Sequence, residues 1–306
     1  MSIQSIKKVL TDVESLTNTR QVGLRRSVNR VILSAGARRP RRKKKIVVQC
    51  LWVGSELPHL AVLSLKSFLR VGMEPHLYTY KKMKNVPKGV KLKDAREVLP
   101  ESQIFKFKGS YIPFADYWRY QMLYKKGGWW VDLDVIALKP FNIKQKMVFN
   151  SERTIQKGPY RNRKYRFDCG NTVLKAPKNH PFYEDLVQRC KKRIKKGIRK
   201  KLQLTVLLTK TAQEYGLHKS PTTVKYTTFC PLDWWHVKEA FSGPSKKRTK
   251  QFPKKYGVNG YDIGSFINKS YGVHFWNGLM KHRHKIDPSK SYHPDSLWER
   301  VTRDLK

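Results

Sequence analysis

The chain has 306 residues and a formal net charge of +43, with 65 lysines and arginines against 22 acids. Its 39% hydrophobic and 12% aromatic content is enough for a packed core, which excludes a disordered polycation. Four scattered cysteines with no CxxC pair exclude a zinc knuckle or disulfide framework, and no apolar run approaches the roughly 18 residues of a spanning helix.

Residues 1–45 read as a basic N-terminal extension, flexible or forming a peripheral helix. Ile3, Ile6, Leu10, Val13 and Leu16 recur at helical spacing, and RRPRRKKK (Arg38 to Lys45) repels itself as a solvated tail does. Such a tail serves nucleic-acid binding, adsorption to anionic lipid, or solvation alone. The N-terminus lacks the apolar core of a signal peptide. The expectation is therefore a cytoplasmic protein, soluble or peripherally membrane-associated, with reduced thiols. Asn268-Lys269-Ser270 then reads as a chance sequon.

A single domain is expected over 46–306, with a nucleotide-binding half at 46–140 and an acceptor-side half at 141–306. Ile46 to Val53 is a continuous apolar run of strand length. A helix follows through Leu60, Leu63, Leu65, Phe68 and Leu69 and stops at Gly72. His76 to Tyr80 is the next strand, so the order is strand, helix, strand, the start of an α/β sheet. A loop and short strand occupy NVPKGVKLKDA. A further helix runs from about Phe114 to Lys126 and stops at Gly127-Gly128, because glycine accepts the left-handed conformation there.

WWVDLDVIAL is then expected to be one strand. Later come a strand at NTVLKAP, helices at PFYEDLVQRCKKRIKK and QLTVLLTKTAQEYG, and basic exposed segments near 189–201 and 246–255. On a continuous strand, Asp132 and Asp134 share a face, with Cα atoms about 6–7 Å apart. Carboxylates so spaced suit one hard divalent cation, Mn²⁺ or Mg²⁺, which commonly shares its ligands with substrate phosphates. DxD alone is a short pattern, and two surface acids neutralised by lysines would look the same.

The surrounding frame is more specific. FADYWRYQMLYKKGGWWVDLDVIALKP resembles the signature of glycosyltransferases with a DxD-containing sugar-binding region: an Asp and an Arg three apart on a helix, a double glycine, an aromatic, then DxD. LWVGSELP, HLYTY, VPKGVKLKDA, NTVLKAP, FCPLDWWH and VHFWN resemble further segments of that family in order, from about Ile46 to Leu305. The resemblance includes the small bacterial and viral members related to α-1,4-glycosyltransferases and capsular-polysaccharide enzymes.

This resemblance implies an α/β GT-A fold with a mixed central sheet. It implies a hexosyltransferase moving sugar from a nucleotide-sugar donor, by default a UDP-hexose, to a glycan or lipid-linked acceptor, with retention. It implies Asp132 and Asp134 as metal anchors, with Asp134 the direct ligand. Asp116 and Arg119 become donor contacts, although a surface ion pair would give the same spacing. Trp52 would stack on the nucleobase, or be plain core. His274 is a further metal ligand or a hydrogen-bonded core histidine. Trp276 and Asn277 would line the donor pocket. Asn171 lies near the reacting sugar or caps a strand after Gly170. Trp234 and Trp235, beside Asp233 and His236, form an acceptor-side wall or buried core. The competing reading is a basic nucleic-acid-binding or packaging protein on an inactive fold of this type, which the charge supports.

Overall fold

The computed structural model describes residues 45–155, 165–196, 204–243 and 268–306. The N-terminal extension up to Lys44, the basic segment at 246–255 and the end of that at 189–201 lie outside the described residues. Lys45–Lys306 form one compact unit.

The apolar run after Ile46 becomes strand β1 (Val47–Trp52), and helix α1 (His59–Arg70) follows it. Strands β2 (Glu74–Thr79) and β3 (Lys91–Asp94) complete a parallel edge, with β1 on β2 and β2 on β3. Helix α2 (Ile112–Lys125) is buried on nearly every face, Asp116, Arg119 and Gln121 included, so its polar side chains need partners inside the protein. It ends at Gly127, where φ is +67° and a Cβ would lie 2.5 Å from the Lys178 backbone nitrogen, so only glycine fits. Strand β4 (Gly128–Val131) then enters the sheet parallel to β1.

The sheet has six strands in the order β3-β2-β1-β4-β7-β6, counting β6 (Val148–Ile155) and β7 (Tyr165–Ala176). β7 runs antiparallel to both β4 and β6, so the sheet is mixed, as the resemblance implied. Helices α3 (Pro181–Lys195) and α4 (Leu204–Glu214) fall where the sequence places them, and their apolar residues join α2 in one core cluster. All four cysteines are buried and free.

One expectation is corrected. WWVDLDVIAL is two strands, not one. β4 ends at Val131, and after a turn at Asp132–Asp134 the chain continues as β5 (Val135–Ala137). β5 leaves the central sheet and pairs antiparallel with β8 (Gly272–His274) in a separate two-stranded sheet. The aspartates therefore sit at a junction between two sheets, not on one pleated face. Trp298, on the short helix α5 (Leu297–Thr302), packs under this second layer with Phe275.

Candidate active site

The C-terminal end of β4 collects most of the singled-out residues. Asp132 keeps a backbone tie to the central sheet, its N–H donating to Thr172 O at 2.9 Å. Its Oδ1 accepts from Trp130 Nε1 at 2.8 Å and from Arg119 Nη2 at 2.7 Å. Arg119 also donates through Nη1 to Asp116 Oδ1 at 3.0 Å, and its guanidinium lies 4.7 Å from the Trp130 ring centroid. Asp116 and Arg119 are each 4% exposed, so their contact is a buried bridge and not a surface ion pair.

Asn171 joins the same network, donating from Nδ2 to Asp116 Oδ1 at 2.7 Å and to Thr205 Oγ1 at 3.2 Å. It lies inside β7, so it is no strand cap. The β6–β7 register slips there, leaving Asn150 opposite Gly170–Val173. Asn150 Oδ1 accepts the Val173 N–H at 3.2 Å, satisfying the irregular backbone. Irregularities of this kind re-aim side chains beside active sites.

Asp134 is held from the second sheet. Its Oδ2 accepts the Asn277 N–H at 2.9 Å and faces His274 Nε2 at 3.2 Å. Burial pushes the Asp134 pKa up, but the His274 charge and these hydrogen bonds outweigh it and hold the carboxyl below its usual value. Burial likewise pushes His274 down, yet attraction to Asp134 leaves it well above an ordinary histidine. In the metal-free protein both directions favour a charged His274 facing a charged Asp134. Asp132 moves the other way, up to about 6, because burial and the neighbouring Asp134 charge outweigh the pull of Arg119. Its side chain keeps 24% of its surface open to solvent, which tempers that effect.

Two buried polar atoms at this junction have no partner: Asp134 Oδ1, an acceptor, and Arg119 Nε, a donor. An orphaned carboxylate oxygen beside a second carboxylate fits a hard divalent cation. The protein supplies few ligands, since no group of three His, Cys, Asp or Glu residues among the described residues could hold a metal alone. Mg²⁺-type sites normally use one or two carboxylates and complete their shell with water and substrate phosphates.

Trp276 has left-handed φ and ψ (54°, 55°), which aims the following N–H at Asp134. Its ring lies 4.2 Å from that of His274, and its Nε1 donates to Leu232 O at 2.8 Å. Trp52 ends β1, half-buried, with Gly54 packed against its ring. Beside it a cleft of about 300 Å³ opens at the carboxyl ends of β1 and β2, lined by Val53, Gly54, Tyr80, Lys81, Glu101 and Tyr111 among others. Ligands of open α/β sheets gather at such ends.

Trp234 and Trp235 meet edge to face at 5.3 Å and are half-exposed, so they are not buried core. Asp233 anchors their turn. It is buried and accepts from Arg153 Nε at 2.9 Å, with a second contact from Arg153 Nη2. His236 Nδ1 lies 3.6 Å from the same carboxylate.

Several contributors escape sequence reasoning. On α1, Ser64 Oγ donates to Val135 O at 2.7 Å, and Ser67 Oγ accepts the Ala137 N–H at 2.8 Å. These serines hold β5 by its backbone, and their only signal is polarity on an otherwise apolar helix face.

Residues 65–154 match the family described as glycosyltransferase sugar-binding region containing DXD motif. Residues 175–294 match the alpha 1,4-glycosyltransferase conserved region. Both matched families are glycosyltransferases, and together they mark the chain as a glycosyltransferase enzyme. The first match takes in Asp116, Arg119 and both DxD aspartates, and the second takes in His274, Trp276 and Asn277. The two halves of this candidate site thus come from different matched regions and meet at Asp134. No curated protein matches the chain significantly. Among solved structures, a PaToxG glycosyltransferase is similar at 16% identity with a TM-score of 0.41, covering 56% of this chain and 69% of that one. Glycosyltransferases of this kind take a nucleotide-sugar donor and a glycan acceptor, and generally bind a divalent metal. No helix among the described residues is long and apolar enough to cross a membrane.

Proposed function

We propose that this glycosyltransferase is metal-dependent and moves a hexose from a nucleotide-sugar donor, by default a UDP-hexose, to a glycan or lipid-linked acceptor. The observation that carries the reading is the buried, unpartnered Asp134 Oδ1 beside Asp132 at the junction of two sheets. Asp134 Oδ1 and Asp132 would hold Mn²⁺ or Mg²⁺. When bound, that ion neutralises the diphosphate as the glycosidic bond breaks.

The remaining roles belong to the chain. Arg119 fixes Asp132 and presents its unpartnered Nε to the donor, while Asp116 holds the guanidinium in register. His274 and the Asn277 N–H fix Asp134 Oδ2, leaving Oδ1 for the cation; His274 would join as a further ligand only after giving up its proton. Asn171 is positioned by Asp116 near the reacting sugar, Trp276 walls the donor pocket, and Trp52 stacks on the nucleobase beside the cleft. Trp234 and Trp235 offer aromatic faces to the acceptor.

The reading is a retaining one, in keeping with the family resemblance. Asp116 and Asp132 are both committed to Arg119, and neither is offered as a base. The departing phosphate oxygen then takes the acceptor hydroxyl proton on the same face.

The test is nucleotide release by the purified protein across a panel of UDP- and GDP-sugars, with Mn²⁺ and with chelator. Chelator-sensitive release from one donor is expected. Absence of both nucleotide release and metal-dependent donor binding across the whole panel would overturn the reading.

A further inference from the structure

The acceptor side carries charge of one sign in an unusual local fold. From Asn277 the chain makes a helical turn to Leu279 and continues as a π-helical segment, Met280–His284. Such wide turns are rare and concentrate at functional sites. Both flanking residues, Trp276 and Lys285, are non-glycine with φ of 54°. Left-handed residues of this type persist only where their surroundings hold them.

The surroundings here are specific. At its start, the Asn277 N–H is bonded to Asp134. In its middle, Met280 is fully buried in the core beneath β8. What remains is KHRHK: Lys281, His282, Arg283 and Lys285 are exposed and His284 is half-exposed. None of the five forms an ion pair among the described residues. The Arg283 guanidinium lies 5.9 Å from the Trp234 ring centroid, so the basic turn and the aromatic pair form one surface. Arg283 lies six residues beyond Asn277, and because the wider π turn rises less than the α-helical value of about 1.5 Å per residue, it stands at most roughly 9 Å along the helix axis. That is the reach of a short saccharide extending away from the metal-binding carboxylates.

We infer that the acceptor is an anionic saccharide whose carboxylate or phosphate is gripped by Lys281, Arg283 and Lys285 while its ring stacks on Trp234. The inference rests on the glycosyl-transfer reading of the same site. Guanidinium forks match carboxylate and phosphate geometry, and aromatic faces take the apolar face of a sugar ring. A cation cluster that begins at the Asp134 contact serves the molecule receiving the sugar, whereas a general polyanion patch would not need that position.

The experiment measures binding of tetragalacturonate and of its methyl ester to the full chain by calorimetry at about 150 mM salt, where distant surface charges are screened. The Lys281→Gln/Arg283→Gln variant is compared with Lys191→Gln/Lys195→Gln, an equal charge change on helix α3. Expected are acid binding at least about tenfold tighter than ester, about tenfold weakening in the turn variant, and less than about twofold in the control. Equal weakening in both variants, equal binding of the ester, or no binding of tetragalacturonate would overturn the inference. Duplex DNA bound through the turn, with tetragalacturonate unbound, would assign it to nucleic acid instead. Metal-dependent donor binding and nucleotide release, measured in parallel, are both lost only if the glycosyl-transfer reading fails, so the two failures are distinguishable.

Discussion

Arg119 Nη2 lies 2.7 Å from Asp132 Oδ1, while Nη1 of the same guanidinium lies 3.0 Å from Asp116. A planar fork spans two carboxylates as a single ammonium cannot. Arg119→Lys is expected to lower Mn²⁺ affinity and donor turnover by roughly 10–100-fold, the usual effect of losing a group that orients a metal ligand. Manganese titration of the variant checks this, and unchanged affinity would show that Asp132 needs no bridge.

Asp134→Asn keeps the acceptor atom for the Asn277 N–H but removes the charge. Turnover should fall by roughly 10²-fold or more, the scale of one lost electrostatic contact to a transition state. The circular dichroism spectrum should stay native. A variant as active as the parent would remove Asp134 from the mechanism.

His274 gives a pH signature in the metal-free protein. Its pKa is raised well above 6.5 because the attraction of Asp134 exceeds the cost of burial. A basic group raised on folding contributes stability that is complete below its unfolded pKa and is lost as pH rises through the folded one. The excess in Tm over His274→Gln should therefore be largest below about pH 6.5 and shrink as pH rises through the raised pKa of the folded state. A gap that widens with pH would mean that the pair is not ionic.

Ser64→Ala and Ser67→Ala each remove one buried bond to β5. Each is expected to lower stability by about 1 kcal/mol, measured by denaturant unfolding. The double variant should also bind Mn²⁺ more weakly, since β5 carries the chain out of Asp134. Loss of stability with metal affinity intact would limit the serines to packing.

The helices were legible because each carries a strong local pattern. Leu60, Leu63, Leu65 and Phe68 mark α1 by spacing, and Gly127 stops α2 through its conformation. Asp116 and Arg119 were legible as a pair because three residues on a helix fix a shared face, but their burial was not, since it depends on β7 and α4 closing over them. The break at Asp132 was hidden for a different reason. Apolar residues alternate with the two aspartates from Val131 to Val135, as they would along one strand, and nothing in such a pattern records which neighbour each half pairs with. β6 was missed because Asn150, Ser151, Glu152 and Arg153 interrupt its alternation, and the register slip that accommodates them is a tertiary feature. Arg153 and Asp233 lie eighty positions apart, beyond the reach of any local pattern.

The junction at Asp132–Asp134 has a mechanical consequence. One carboxylate is fastened to the six-stranded sheet and the other to the β5–β8 pair, so the motif behaves like the two jaws of a caliper. An ion bridging the jaws would act as a clamp between the layers, and their separation would set how well the ion fits. Substitutions that loosen one layer against the other, such as a smaller side chain at Phe275 or Trp298, would then register as a change in ion affinity from a position that touches neither carboxylate.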